Sequence, residues 1–453
     1  MFKPFIFSSI FFFSFLANAQ EPLSLSDAIQ IGLQRNFDIS IEKRNVEIAE
    51  NNNSWGEAGR YPTITLNVNQ NNGINDNVKT ASPFQLQGVT ISNSINPSVN
   101  LNWTLFNGFL VNTTKRRLEQ LQAETQGNAS IVIANSLQSI ILGYYLSVLE
   151  KERLTEFKKQ VQLSRDRYEY MKTKSEIGAA VTTDILLEEG NYLTDSVNYI
   201  NQELAFRNAV RNLNLILAEP NIDKTYVLTD SLSVRMFDYD HNDLLDKMLN
   251  NNVDLEKQYI TQSILGTNIK ISQAERYPLL SLNAGFSDNR SRVDLSNAMF
   301  PNDDGTTRPG PSDPLTSITD NISLNFTLAF TLFNGGKINR AIKNTIIQED
   351  IGNIQLDKMK SSLTRDLKTA LDRWETRKQI YGINVRREET AATNLEISEE
   401  RYKNGSINSF DFRVVQNNYL SASILRLQAL YNLIDSHVEL MRLTGGLVEE
   451  YNN

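Results

Sequence analysis

Few side chains in this sequence can do covalent or metal chemistry. It has no cysteine and only two histidines, His241 and His437, so it offers no thiolate nucleophile, no disulfide framework and no histidine-rich metal site. Each histidine reads as a surface or interface residue. Carboxylates are plentiful, with 53 Asp and Glu against 45 Lys and Arg. They form no nucleophile–base constellation, metal-ligand spacing or phosphate loop, and helix-surface charge accounts for them. No catalysis and no cofactor is expected. Two aspartates stand apart because each follows a glycine turn: Asp184 after Gly178, and Asp411 after Gly405. A carboxylate placed there can cap the next helix, accepting N–H bonds at its positive end. If a symmetry axis gathers several copies of Asp411, they instead form a ring that favours cations and resists anions.

The elements that position these turns are organised by a duplication. Arg60-Tyr61-Pro62 returns as Arg276-Tyr277-Pro278, and Asn36 and Asp38 return as Asn252 and Asp254, at an offset of 216 residues. Leu105-Phe106-Asn107-Gly108 returns as Leu332-Phe333-Asn334-Gly335 at an offset of 227, as do Gly178, Asp184, Tyr192 and Leu193 in Gly405, Asp411, Tyr419 and Leu420. The second copy therefore gains 11 residues between the two sets, in the Gly-, Pro- and Asn-rich stretch Asp288 to Pro314, read as a longer exposed loop.

Four parts follow from this. Residues 1–19 form a signal peptide: Lys3, an apolar run from Phe5 to Leu16, then Ala17-Asn18-Ala19. Residues 20–218 are the first structural repeat, 219–241 a connector with a short β-like run at Tyr226-Val227-Leu228, and 242–453 the second repeat. Each repeat opens with a helix, roughly Ser26 to Trp55 and Asn242 to Glu275, stopped by Pro62 or Pro278. Two strands follow, at about 62–70 and 96–106 in the first copy and about 279–287 and 318–332 in the second. Two long helices complete each copy. The first runs from about Phe109 to Lys174 or Lys337 to Lys403, and the second covers about 35 residues after the glycine. In the last helix Leu420, Ile424, Leu427, Tyr431, Ile434, Val438 and Met441 space as a coiled-coil seam, which the first copy keeps only at Leu193, Val197, Ile200 and Leu204.

The strands alternate with period two. Val99, Leu101, Trp103 and Leu105 interleave with Asn100, Asn102 and Thr104, and Ile322 to Phe330 alternate with Asn321, Ser323, Asn325 and Thr327. An apolar face opposite an uncharged polar face suits lipid outside and water inside, although a half-buried soluble sheet alternates in the same way. No run after the leader reads as apolar enough for a membrane-crossing helix, so strands must make the crossing. Four strands cannot close a barrel alone. Two chains give about 8 and a filled interior, three about 12 and a wider lumen. The net charge of −8 is spread along the chain, with no basic block to suggest nucleic acid.

The ordered set of motifs resembles the TolC outer-membrane efflux family over essentially the whole mature chain. It comprises the Tyr-Pro entry to the first strand, the Leu-Phe-Asn-Gly exit from the second, and the tips Gly178 to Ile185 and Gly405 to Phe412. The resemblance implies a mainly α fold with a membrane β-barrel portion: a homotrimer with a 12-stranded barrel on a long α-helical coiled-coil tunnel, in outer membrane lipid and reaching into the periplasm. It implies a passive exit duct for tripartite efflux or type I secretion, engaged by a periplasmic adaptor protein and an inner-membrane transporter that supplies the energy. In the family, acidic residues on the second tip line a pore constriction. Asp411 matches the first such position, while the next is Val414 and the basic latch position is Ile407. Gly178, Thr182, Asp184, Gly405, Ser406 and Ser409 are the tip residues expected to border the adaptor. The competing reading is a secreted coiled-coil structural protein or adhesin without transport activity, which explains the helices and the export but not the paired strands.

Overall fold

The computed structural model describes residues 21–77, 87–302 and 305–447, so the expected leader lies outside the described residues. The chain is mainly helical. Its elements are β1 Glu21–Leu23, α1 Leu25–Arg35, α2 Phe37–Asn52, β2 Thr63–Asn77, β3 Gln87–Asn107, α3 Leu110–Glu176, α4 Thr182–Ile216, β4 Tyr226–Leu228, α5 His241–Asn251, α6 Val253–Ala274, β5 Leu279–Asp294, β6 Ala298–Pro301, β7 Thr307–Pro309, β8 Leu315–Ala329, α7 Lys337–Lys403 and α8 Ser409–Leu443. Two compact units result, and each draws on both halves of the sequence. Of the described residues, one unit contains those within 1–44, 127–256 and 358–453, and the other those within 45–126 and 257–357.

The opening helix of each half, expected to be continuous, is broken. Asn36 separates α1 from α2 and Asn252 separates α5 from α6. The cause is side-chain competition for backbone groups. The Asn36 amide oxygen accepts from the N–H groups of Asp38 (2.9 Å) and Ile39 (3.2 Å), starting a new helix. Its amide nitrogen donates to the last carbonyl of α4, at Ile216 (2.8 Å). Asn252 does the same with the Leu255 N–H and the Leu443 carbonyl, both at 2.9 Å. Each asparagine thus caps one helix and satisfies the end of another.

The core of the first unit joins α1, α3, α4, α8 and the two-stranded parallel sheet of β1 and β4. Leu137, Ile140, Ile141, Tyr144 and Val148 of α3 lie at its centre. The Tyr144 hydroxyl bonds both the Leu23 carbonyl (2.9 Å) and the Asp230 carboxylate (2.7 Å), tying the connector to the start of the chain. This stretch corrects one expectation, because part of α3 is long and apolar enough to cross a membrane by composition. Leu137, Ile140, Ile141, Tyr144 and Val148 of this helix are buried in the helical core, so a helix that helps to build a core has the composition of a span.

Of the surface or interface positions expected of the histidines, His437 does not take the surface one. Its ring stacks on Phe237 and shares a hydrogen bond between Nδ1 and the Tyr239 hydroxyl (2.8 Å), beside the fully buried Trp374. Burial holds the imidazole below its ordinary value of 6.5, so the folded form keeps it neutral. The unfolded chain takes up that proton at higher pH than the folded chain does. The stability tied to the neutral ring is therefore complete above 6.5 and is lost as pH falls through that value toward the lower folded one. The wild-type thermal midpoint should drop more than that of His437→Gln between about pH 7.5 and pH 5. Equal drops in the two proteins would show that His437 is not linked to stability.

In the second unit, the strands extend beyond the expected segments. β2, β3 and β5 run on through polar residues to Asn77, back to Gln87 and on to Asp294, because backbone pairing continues where the apolar alternation has stopped. β8 instead ends at Ala329, leaving Leu332 and Phe333 in the turn to α7. The 11-residue gain is not wholly loop. After β5 it folds as the β6–β7 hairpin, with Met299 opposite Pro309, and β6 also pairs the start of β3.

Candidate functional site

The four long strands form one antiparallel ladder in the order β2, β3, β5, β8. Its register decides what the sheet presents. Ile64, Leu101, Ala284 and Leu324 fall in one row, and Leu66, Val99, Phe286 and Ile322 in the next. Trp103, Leu282 and Phe326 continue the same face. The alternate rows are polar: Thr63, Asn102, Asn283 and Asn325, then Asn67, Ser98, Ser287 and Asn321. The separate period-two patterns of the strands thus combine into one apolar and one uncharged polar surface. A one-residue slip of any strand would destroy both.

The apolar face is open within the single chain. Ile322 is 86 % exposed and Leu66 70 %, too much for the inner face of a soluble sandwich. Charge enters this face at Asp288 and Asp320, which lie opposite each other, and at Arg290, which pairs with Asp288 at 2.8 Å and stands between Ile95 and Ile318 in the next row. Aromatic residues collect at the other end, where strands meet helices. Phe109 packs edge-on against Phe106 and Tyr277, and Tyr61, Phe330 and Phe333 are exposed. Such a girdle suits a membrane–water interface. Sequence reading missed it because Tyr61, Phe109, Tyr277 and Phe333 lie in turns outside the alternating segments. The turn itself requires Gly108. Its φ is +66° and a Cβ there would lie 2.6 Å from that of Tyr277.

The outer strands of the ladder, β2 and β8, each pair on one side only among the described residues. Each is 15 residues long. Long unpaired edges beside an exposed apolar face demand a further strand.

The helical unit carries the two glycine turns. Gly178 (φ +72°) and Gly405 (φ +69°) adopt the left-handed conformation that ends α3 and α7, and both are exposed. Neither aspartate is the helix cap. The N-cap of α8 is Asn408, whose side chain accepts the Asp411 N–H at 2.8 Å, and that of α4 is Val181, without a side-chain bond. Asp411 therefore sits in the first turn with its carboxylate free of the capping role, and it is exposed. Thr182 and Ser406 are exposed, Asp184 is partly covered, and Ser409 is held through its hydroxyl and carbonyl by Arg167. Exposed apolar residues surround the turns as well, with Ile177 77 % and Phe410 66 % accessible.

Above the turns lie two buried ion pairs: one joins α8 to α4, and the other joins α3 to α4 within their hairpin. Arg413 makes a two-pronged contact with Asp195, both bonds at 2.6 Å, and Asp195 also accepts from Ser164 and from Gln160 (3.2 Å). Arg167 pairs with Glu188, donates to Gln416 (2.7 Å), and lies over the rings of Tyr402 and Phe412. Glu188 is fully buried and Asp195 is 3 % exposed. Sequence reading missed both pairs, since their members lie 21 and 218 residues apart and carry no local signature. The described residues contain no group of His, Asp and Glu able to hold a metal.

Residues 244–446 match the family model for the outer membrane efflux protein. No curated protein matches the chain by sequence. In solved structures the fold is similar to the Campylobacter jejuni CmeC outer membrane channel, with a TM-score of 0.72 at 16 % identity over 93 % of this chain and 85 % of that one. It is similar to the Vibrio cholerae outer membrane protein VceC (TM-score 0.65, 11 % identity, 93 % and 96 % covered). The open state of the Neisseria gonorrhoeae MtrE outer membrane channel matches likewise (TM-score 0.65, 15 % identity, 93 % and 89 % covered).

Proposed function

We infer that this chain is an outer membrane efflux protein of the TolC type, a reading supported by the family match over residues 244–446 and by the fold, and that it forms the passive exit duct of an efflux or secretion assembly. The observation that carries this is the ladder register, which gathers apolar residues of four strands on one open face and leaves both edges unpaired. In lipid, the edges must be closed by strands of other copies. Three copies supply about 12 strands, enough for an aqueous lumen lined by Asn, Ser and Thr. The long helices α3 and α7, of 67 residues each, provide about 100 Å of wall at 1.5 Å per residue.

The tips Gly178 to Asp184 and Gly405 to Ser409 are the meeting place for a periplasmic adaptor, which couples the duct to an inner-membrane pump. The exposed Gly178, Thr182, Gly405 and Ser406, with the apolar Ile177 and Phe410 beside them, supply that surface. Ser409 and Asp184 support it from within. The division into a first repeat, a connector and a second repeat places one adaptor-facing tip in each half.

Asp411, with its helix capped by Asn408 instead, is left to face the axis, where three copies form a cation-preferring ring. Purified protein in planar bilayers should show a small cation-preferring conductance, and Asp411→Ala should raise the conductance and weaken the preference. The ring assignment is wrong if that variant conducts like the wild type. A monomer recovered in the soluble fraction would overturn the duct itself.

A further inference from the structure

The lipid-facing side of the ladder continues past the height that a membrane crossing needs. β5 begins at Leu279, just beyond the aromatic girdle, and a tilted strand takes about 9–11 residues to cross the hydrocarbon. The hydrocarbon therefore ends near Asp288, and β5 carries the same face beyond it through Arg290 and Arg292. Arg290 lies between Ile95 and Ile318, and Arg292 between Asn93 and Thr316. An arginine on the lipid side is costly at the middle of a membrane and nearly free at its interface. Both side chains stand at the level of lipid headgroups.

Between them lies a groove of about 430 Å³, whose lining includes Gln70, Ile95, Arg290, Arg292, Thr316 and Ile318 and no carboxylate. Asp288, one row toward the membrane, holds Arg290 by Nε (3.0 Å) and Nη2 (2.8 Å), which leaves Nη1 without a partner among the described residues. Arg292 has no hydrogen-bonding partner among the described residues. The next carboxylate along its strand, Asp294, is occupied by the Ser296 N–H at 2.9 Å. About 14 Å along the strand separate Arg292 from the row of Asp288 and Asp320, so those carboxylates do not screen it.

Guanidinium groups with free N–H donors match the oxygens of a phosphate. Apolar flanks lead from the groove into the membrane. Ile318 is followed on its face by Ile322 and Leu324, past Asp320, and Ile95 by Val99 and Leu101. A phosphate that arrives on acyl chains can use both features, whereas a free phosphate uses only the first. Resting on the membrane reading above, we infer that this groove binds the phosphate of an outer-leaflet lipid. Arg292 and Nη1 of Arg290 donate to it, and its chains lie along β3 and β8. The helices leave the strands at the girdle end, so the groove end faces the cell exterior. At the offset of 216 residues, Arg290 and Arg292 correspond to Ile74 and Asp76. Only the second copy carries the site, and each chain binds one lipid.

Protein in neutral detergent can be titrated with phosphatidic acid, with diacylglycerol of the same chains, and with inorganic phosphate, the bound molecules being counted by native mass spectrometry. One phosphatidic acid per chain is expected, bound about tenfold more weakly when Arg290→Gln and Arg292→Gln are combined. The Arg290 side chain is 62 % exposed, so the double variant should keep the wild-type yield of heat-resistant assembly. Arg308→Gln, on the β7 hairpin, should bind phosphatidic acid as the wild type does. Equal retention by the wild type and the double variant, or an equal loss with Arg308→Gln, overturns the site. Diacylglycerol bound as tightly as phosphatidic acid overturns the role of the phosphate. Displacement of the lipid by inorganic phosphate at matching concentration overturns the lipid assignment. Protein that binds none of these yet sediments as an oligomer and conducts loses this site alone. A water-soluble monomer loses the membrane reading on which the site rests.

Discussion

Replacing Arg413 by methionine is expected to destabilise the helical unit by about 3–5 kcal/mol, among the largest losses any single substitution here can cause. The reason is what stays behind. Asp195 is 3 % exposed and takes two 2.6 Å bonds from Arg413, so its carboxylate would remain buried with only Ser164 and Gln160 as donors. The Arg413 side chain is itself 13 % exposed, so water screens the pair little. Replacing both partners, Arg413→Met with Asp195→Leu, should recover most of the loss, because an apolar pair of similar volume avoids the desolvation of two ions. Urea unfolding of the detergent-solubilised protein, followed by helical circular dichroism, gives the double-mutant cycle. A single variant as stable as wild type would mean that the pair is not buried in the assembled protein. A double variant no better than the single would place the loss in packing instead of charge.

The second large effect concerns the strands. Phe326→Arg should cut the yield of heat-resistant assembly in outer membranes severely, at a cost of about 2–4 kcal/mol per chain for an arginine facing the middle of the hydrocarbon. Asn325→Arg, one residue away, should assemble normally and shift selectivity toward anions. The two side chains differ only in face. Phe326 shares its row with Leu282 and Trp103, whereas Asn325 shares its row with Asn283 and Asn102. If Asn325→Arg were the damaging change, the lumen and lipid faces would be reversed. If both were tolerated, the sheet would not be in a membrane.

These predictions divide the molecule into what is local and what is not. The fold class, the order of elements and the ends of the long helices follow from short-range rules: alternation for the strands, uninterrupted helix formers for α3 and α7, and glycine where a left-handed residue must end them. The expected range Lys337 to Lys403 is the range α7 occupies. The break at Asn36 and Asn252 was half legible, since the duplicated asparagine could be seen but its partners, Ile216 and Leu443, lie 180 and 191 residues away.

The sequence by itself determined that the chain is built twice from helix, paired strands and long helices, and that its strands have two unlike faces. Period and turn chemistry are properties of neighbouring residues, so no folding was needed to read them. Only the tertiary structure decided which rows those faces form, that Asn408 and not Asp411 caps α8, and that Arg167 and Arg413 find buried carboxylates on α4. Each of these depends on which residues meet across long separations in the chain. Such meetings are set by packing and register, and packing leaves no periodic mark on the sequence.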